Sequence, residues 1–190
     1  RDQLLQLPEN AIVINAGRGA VVNNQALYEV LSVRPDLRVV LDVWESEPDL
    51  NTALLRRVAL GTPHIAGYSF EGKVTGTKMI FKAMCSHFNV STHQITAEFG
   101  GDQDKETIRV YNRDPQGQIW EAILQAYDIR LDDSHLRRVA TDSAVAGREF
   151  DELRRTYPIR REFAHYKLLI DQPCESAATI LSQLGFQLTV

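Results

Sequence analysis

The stretches AIVINAGRGAVVNNQALYEVL (residues 11–31), RVVLDVWESEP (38–48) and ALGTPHIAG (59–67) decide the fold class of this chain. Residues 11–15 are a short continuous apolar run ending in Asn15, the pattern of a strand buried on both faces. The run breaks at Gly17-Arg18-Gly19. Asn23 or Asn24 then offers an N-cap to a helix whose Leu27, Val30 and Leu31 share one face. Residues 38–43 repeat the buried-strand pattern. Residues 51–58 predict a short helix with Leu54, Leu55 and Val58 inward, and 59–67 a third strand-like step into a loop. Strands alternating with helices predict a parallel α/β sheet, because each crossover helix covers a sheet face.

Outward from this core, FEGKVTGTKMIFKAMCSHF (70–88) predicts a longer helix. Its interior Gly72 and Gly76 weaken it and predict close packing against another element. The character changes after Phe88. Residues 91–106 are polar, contain Gly100-Gly101, and read as a linker. Residues 107–111 alternate like a half-exposed strand, and 116–127 predict a helix with Ile119, Trp120, Ile123, Leu124 and Tyr127 on one face. Short Arg-rich helices are expected at 132–139 and 147–157, then a strand at 166–170, a helix at 174–184 and a last strand at 186–190. The expected division is therefore 1–88, with the sheet and its return helix, and 89–190, a linker followed by a small α+β domain. The opening RDQLLQLPENAIVIN reads as the end of a helix running into a strand, so a preceding segment is expected.

Composition narrows the classes. The chain has 190 residues, 44% hydrophobic and 24% charged, which is ordinary globular composition. No run approaches the ~18 apolar residues a membrane span needs. The net charge of −4, with no basic tract, argues against a nucleic-acid partner. The two cysteines, Cys85 and Cys174, form no CxxC and no Cys/His cluster. That argues against a disulfide scaffold and a metal site, and fits a reducing cytoplasm. Cys85 is expected as a buried small hydrophobe and Cys174 at a helix start.

Arg18, Glu47 and His64 stand at the carboxyl ends of the three successive predicted strands, where the ligand crevice of an open α/β sheet lies. Singly, each is more often structural: a solvated turn Arg, an exposed Glu before Pro48, a loop His after Pro63. Together they combine a guanidinium fork for a carboxylate, a group that moves protons near neutral pH, and a carboxylate able to hold that group's tautomer. The combination points to a catalytic site.

INAGRGAVVNNQAL, LDVWESEP and TPHIAGYSFEGK resemble three signatures in the C-terminal half of the D-2-hydroxyacid dehydrogenases. The spacings of 29 and 17 residues between Arg18, Glu47 and His64 agree with that family. The resemblance implies the C-terminal half of a Rossmann-type domain, NAD as cofactor, and hydride transfer at C2 of a 2-hydroxy acid. It implies His64 as acid/base, Glu47 as its partner, and Arg18 as the group that binds the substrate carboxylate. It implies cofactor contacts from Ala16, Gly17, Arg18, Asp42 and Gly67, with Asp42 accepting from the nicotinamide amide, and a substrate contact from Tyr68. Asp42 also reads as a strand-end cap, and Tyr68 as a packing aromatic.

YDIRLDD, FDELRRTYPIRREF and SAATILSQLGF in the tail are similar to one branch of the family that carries an extra C-terminal dimerisation domain. This implies a homodimer through residues 89–190, with Trp120, Ile123, Leu124 and the strands near 107–111 and 166–170 as candidate contacts. It also implies a small phosphorylated 2-hydroxy acid as substrate. Arg154, Arg155, Arg160 and Arg161 then read either as a solvated charged face or as including a phosphate ligand. The sequence contains no GxGxxG, so NAD rests on the resemblance alone. Two alternatives stay open: another hydroxy acid as substrate, and a non-catalytic, NADH-binding corepressor-like module of the same fold.

Overall fold

The structure, a computed structural model, describes residues 1–91, 105–141 and 143–189. Most of the expected linker, 92–104, lies outside the described residues. The chain divides into two compact units: residues 1–66 with 129–158, and residues 67–128 with 159–190.

In the first unit β1 (Ile12–Asn15), β2 (Arg38–Leu41) and β3 (Leu60–Gly61) form a parallel sheet in the order β1-β2-β3. After α1 (Asp2–Leu5) and β1, the crossover helix α2 (Asn24–Val33) starts where the Asn23 side chain accepts from the Ala26 N–H at 2.7 Å. α3 (Thr52–Leu55) starts in the same way, with Asn51 accepting from the Leu54 N–H. Leu27, Val30, Leu31, Leu54, Leu55 and Val58 all point inward as their spacing predicts. β1 departs from expectation on one side: Ile12 and Ile14 are 65% and 67% exposed. Alternation along a strand sends these two to one face and Val13 and Asn15 to the other, and only the second face is packed.

The expected boundary after residue 88 does not describe the packing. α6 (Ile129–Val139), the residue after it, Ala140, and α7 (Ser143–Arg155) send Leu136, Ala140, Ala146 and Phe150 into the same core as Leu27, Leu54 and Trp44. Phe150 is completely buried there. Phe150→Ala is expected to lower unfolding free energy by about 3–5 kcal/mol, read by urea unfolding.

In the second unit β4 (Glu106–Val110), β5 (Tyr166–Ile170) and β6 (Gln187–Thr189) also run parallel, in the order β4-β5-β6. α5 (Pro115–Ala126) and α8 (Glu175–Gln183) pack Ile119, Ala122, Ile123 and Leu181 against the sheet, and Ala177 of α8 is buried. Strands and helices alternate here too, so the unit is a small parallel α/β layer rather than the expected α+β arrangement. Ile123, Tyr166, Leu168 and Ile170 are used inside this core, whereas Trp120 is 53% exposed. α4 (Phe70–Phe88) matches its expected range, and Cys85 is its buried residue. Its glycines do not serve close packing. A methyl group at Gly76 would meet nothing within 4 Å, and one at Gly72 would meet the hydroxyl of Ser69, which caps the helix.

Candidate functional site

The first wall of the site is the loop leaving β1. Asn15, buried at the strand end, accepts from the Gly17 N–H and donates to the Arg18 carbonyl, at 3.2 and 3.1 Å. This bends the chain so that Ala16, Gly17 and Arg18 are exposed, and the Arg18 guanidinium donates to the Gly17 carbonyl at 2.8 Å. Gly19 is required at its position because a Cβ there would overlap the Trp44 carbonyl. Next to this contact the Asn24 N–H donates to Glu45 Oε2 at 2.8 Å, and the Glu45 N–H donates to Asn24 Oδ1 at 3.1 Å. The start of α2 and the 44–47 loop are thereby fastened together by two reciprocal backbone-to-side-chain hydrogen bonds.

The second and third walls follow β2 and β3. Trp44 is buried, and its indole N–H donates to the Thr62 carbonyl at 3.1 Å. Glu47 turns both oxygens inward. Oε1 accepts from the Trp44 N–H at 2.7 Å, and Oε2 lies 2.7 Å from His64 Nδ1. With a carboxylate as acceptor, Nδ1 carries the hydrogen and Nε2 is the nitrogen left for proton exchange. His64 sits in the left-handed region at φ 56°, uncommon outside glycine. Asp42 supports that turn. Its backbone carbonyl accepts from the His64 N–H at 2.7 Å. Its carboxylate accepts from Thr62 Oγ1 at 2.6 Å and from the Ile65 and Ala66 N–H groups at 2.8 and 2.9 Å.

His64 and Glu47 are thus brought together as expected, with 30% and 21% of their side chains exposed. Arg18 stands on the adjoining loop. Gly67 and Tyr68 begin the second unit, where the Lys73 ammonium lies 4.2 Å from the centre of the Tyr68 ring. The four arginines separate. Arg154 and Arg155 end α7 in the first unit, and Arg155 pairs with Glu152 at 2.7 Å. Arg160 and Arg161 belong to the second unit, and Arg161 pairs with Glu71 at 2.6 Å. Burial pushes the Glu71 carboxyl up. The Glu162 N–H, its own backbone N–H and Arg161 outweigh burial, so the net effect lowers its pKa from the ordinary carboxyl value.

Asn15, Glu45 and Thr62 are structural partners that sequence reasoning did not single out. Asn15 alone left a signal there, as a polar residue closing an apolar run. The residues present fit the nicotinamide end of a dinucleotide. Ala16 and Gly17 expose backbone with no bulk beyond a methyl group at the β1 carboxyl end, and Asp42 Oδ2, which accepts from the Ala66 N–H, retains a lone pair.

Residues 1–66 match the family described as D-isomer specific 2-hydroxyacid dehydrogenase, NAD binding domain. Residues 105–185 match a Domain of unknown function (DUF3410). The chain is 45% identical over 190 residues to an erythronate-4-phosphate dehydrogenase of Cellvibrio japonicus, covering 97% of this chain and 50% of that protein. It is 43% identical to the Edwardsiella ictaluri protein of the same name, over 100% of this chain and 49% of the relative. For the Proteus mirabilis protein of that name the figures are 42%, 96% and 47%. The chain spans about half the length of the curated relatives it matches. In its sequence match and in its parallel sheet alike, the segment 1–66 is similar to the NAD-binding domain of the D-isomer specific 2-hydroxyacid dehydrogenases.

Proposed function

We propose that this chain supplies the proton-transfer and carboxylate-binding residues of an NAD-dependent dehydrogenase. The reaction is oxidation of 4-phospho-D-erythronate to 2-oxo-3-hydroxy-4-phosphobutanoate, a step of pyridoxal 5′-phosphate biosynthesis. The observation that carries the reading is the 2.7 Å contact between His64 Nδ1 and Glu47 Oε2 at the carboxyl ends of a parallel sheet. NAD held at the strand ends would supply the hydride acceptor for C2 of the substrate. His64 Nε2 takes the proton of the C2 hydroxyl, and Glu47 stabilises the imidazolium that results. Arg18 receives the substrate carboxylate on its guanidinium fork and draws charge from the forming carbonyl. Ala16, Gly17, Arg18, Asp42 and Gly67 would contact the cofactor, and Arg18 and Tyr68 the substrate.

Two further parts of the reading concern the whole protein. It forms a homodimer through residues 89–190, with exposed Trp120 as an apolar contact, and it works in the cytoplasm on a small phosphorylated 2-hydroxy acid. Among the described residues no helix is long and apolar enough to cross a membrane.

The test is turnover by the intact protein with NAD and a panel of 2-hydroxy acids. The phosphorylated four-carbon acid should be preferred. Binding of NADH without turnover of any hydroxy acid would sink the proposal in favour of a non-catalytic module. Glu47→Gln is expected to cost ~10²-fold or more in turnover, because an amide N–H facing Nδ1 favours the tautomer with its hydrogen on Nε2, which cannot accept the substrate proton. Wild-type turnover in that variant would remove Glu47 from the site.

A further inference from the structure

We propose that Asp133 and Arg137 on α6 are positioning residues for the His64 loop. On this view part of a domain family of unknown function completes the proton-transfer site of the first unit. The effect on turnover rests on the catalytic role proposed for His64, and the effect on its tautomer does not.

β3 ends at Gly61, three residues before His64, and among the described residues pairs on one side only, with β2. An amide on the outer edge of such a strand needs an acceptor from elsewhere. Asp133 Oδ1 supplies it, accepting from the Gly61 N–H at 2.7 Å. The same carboxylate receives Arg137 Nε at 2.9 Å on each oxygen. The two remaining nitrogens of Arg137 donate to the Leu55 and Val58 carbonyls at 2.5 and 3.0 Å. One charge-assisted pair therefore holds the chain at the end of α3 and again at the end of β3. Asp133 and Arg137 keep only 15% and 30% of their side chains exposed, so water competes little for these bonds.

The path from Gly61 to His64 is short and stiff. Gly61 is enclosed: a Cβ on it would meet the Leu55 side chain at 2.6 Å and the Trp44 ring at 3.0 Å. Thr62 follows, tied through its hydroxyl to Asp42 and through its carbonyl to Trp44. Pro63 then restricts the backbone up to His64. Trp44 also donates its N–H to Glu47, so a displaced Gly61 disturbs both partners of the His64–Glu47 contact. Leu136, with Ala140 just beyond the helix, already anchors α6 in the core by apolar packing. What the ion pair adds is a directional bond to the strand that leads into His64.

The experiment compares Asp133→Ala, Asp133→Asn, Arg137→Met and Arg137→Lys in the intact protein. Three quantities are read: the unfolding midpoint, kcat per NADH-binding site with KM for the hydroxy acid, and the tautomer of His64 from its imidazole ¹⁵N shifts in the substrate-free protein. In the wild type His64 is held with its hydrogen on Nδ1. Asp133→Ala and Arg137→Met are expected to shift it toward the Nε2–H form and to lower kcat by about 10- to 100-fold with KM changed less than about twofold. Asp133→Asn retains an acceptor for Gly61 and should fall between, as should Arg137→Lys.

A lower midpoint with wild-type kcat and a wild-type tautomer would overturn the proposal, because the pair would then serve folding alone. If Asp133→Ala or Arg137→Met does not fold, the two conservative variants decide: wild-type values for both readouts in both variants overturn it. If no hydroxy acid is turned over at all, the proposed reaction fails, while the tautomer shift alone still supports or overturns the clamp.

Discussion

Replacing His64 with Gln in the intact protein is expected to reduce turnover by ~10²–10⁴-fold while leaving NADH affinity within about twofold. The asymmetry follows from the placement of the ring. Its Nδ1 is committed to Glu47, so its chemistry is confined to Nε2. Gln can hydrogen-bond to Glu47 but cannot take up a proton at the operating pH. The backbone at 64 keeps its bond to the Asp42 carbonyl in the variant, so the surrounding loop has reason to stay in place. Stopped-flow measurement of hydride transfer, with NADH binding followed by fluorescence, separates the two effects. An equal loss of NADH affinity and turnover would mean that His64 holds the fold of the site and does not transfer the proton.

Asp42→Ala is expected to cost about 2–5 kcal/mol of stability and most of the activity with it. Asp42 is buried, and its carboxylate is the acceptor for the Thr62 hydroxyl and for the Ile65 and Ala66 N–H groups. Thr62 and Ile65 are themselves buried, so their donors lose a partner that water cannot easily replace. The left-handed turn at His64 loses its support at the same time. Urea unfolding measures the stability term. NADH titration of the folded fraction then isolates any direct cofactor contact, because a purely structural Asp42 leaves the affinity of the folded protein unchanged. A loss below about 0.5 kcal/mol would show that these hydrogen bonds contribute little net stability, contrary to the burial argument.

The local periods in the sequence determined much of the fold. The helix expected at 70–88 and the strand expected at 166–170 have those bounds in the structure, and the three parallel strands at 12–15, 38–41 and 60–61 fall inside the stretches expected for them. Apolar spacing and N-caps such as Asn51 act over a few residues, and such signals survive in any tertiary setting. The candidate residues of the site were legible for the same reason: an Arg in a glycine turn, a Glu and a His each followed a strand end within a few residues.

Tertiary structure decided what joins these pieces. The helices at 129–139 and 143–155 have an apolar face that could cover either sheet, and the burial of Leu136 and Phe150 assigns it to the first. An apolar run at 12–15 permits burial on both faces, but what packs against each face is set by distant chain, and here Ile12 and Ile14 remain exposed. Gly19 reads as turn flexibility until the Trp44 carbonyl is found against it. Asp42 reads as a strand end until it is seen accepting three hydrogen bonds from the 62–66 turn. The acceptor for Gly61 comes from Asp133, 72 residues away. A hydrogen bond between residues so far apart leaves no periodic trace in the chain, because its geometry exists only after the two segments have packed.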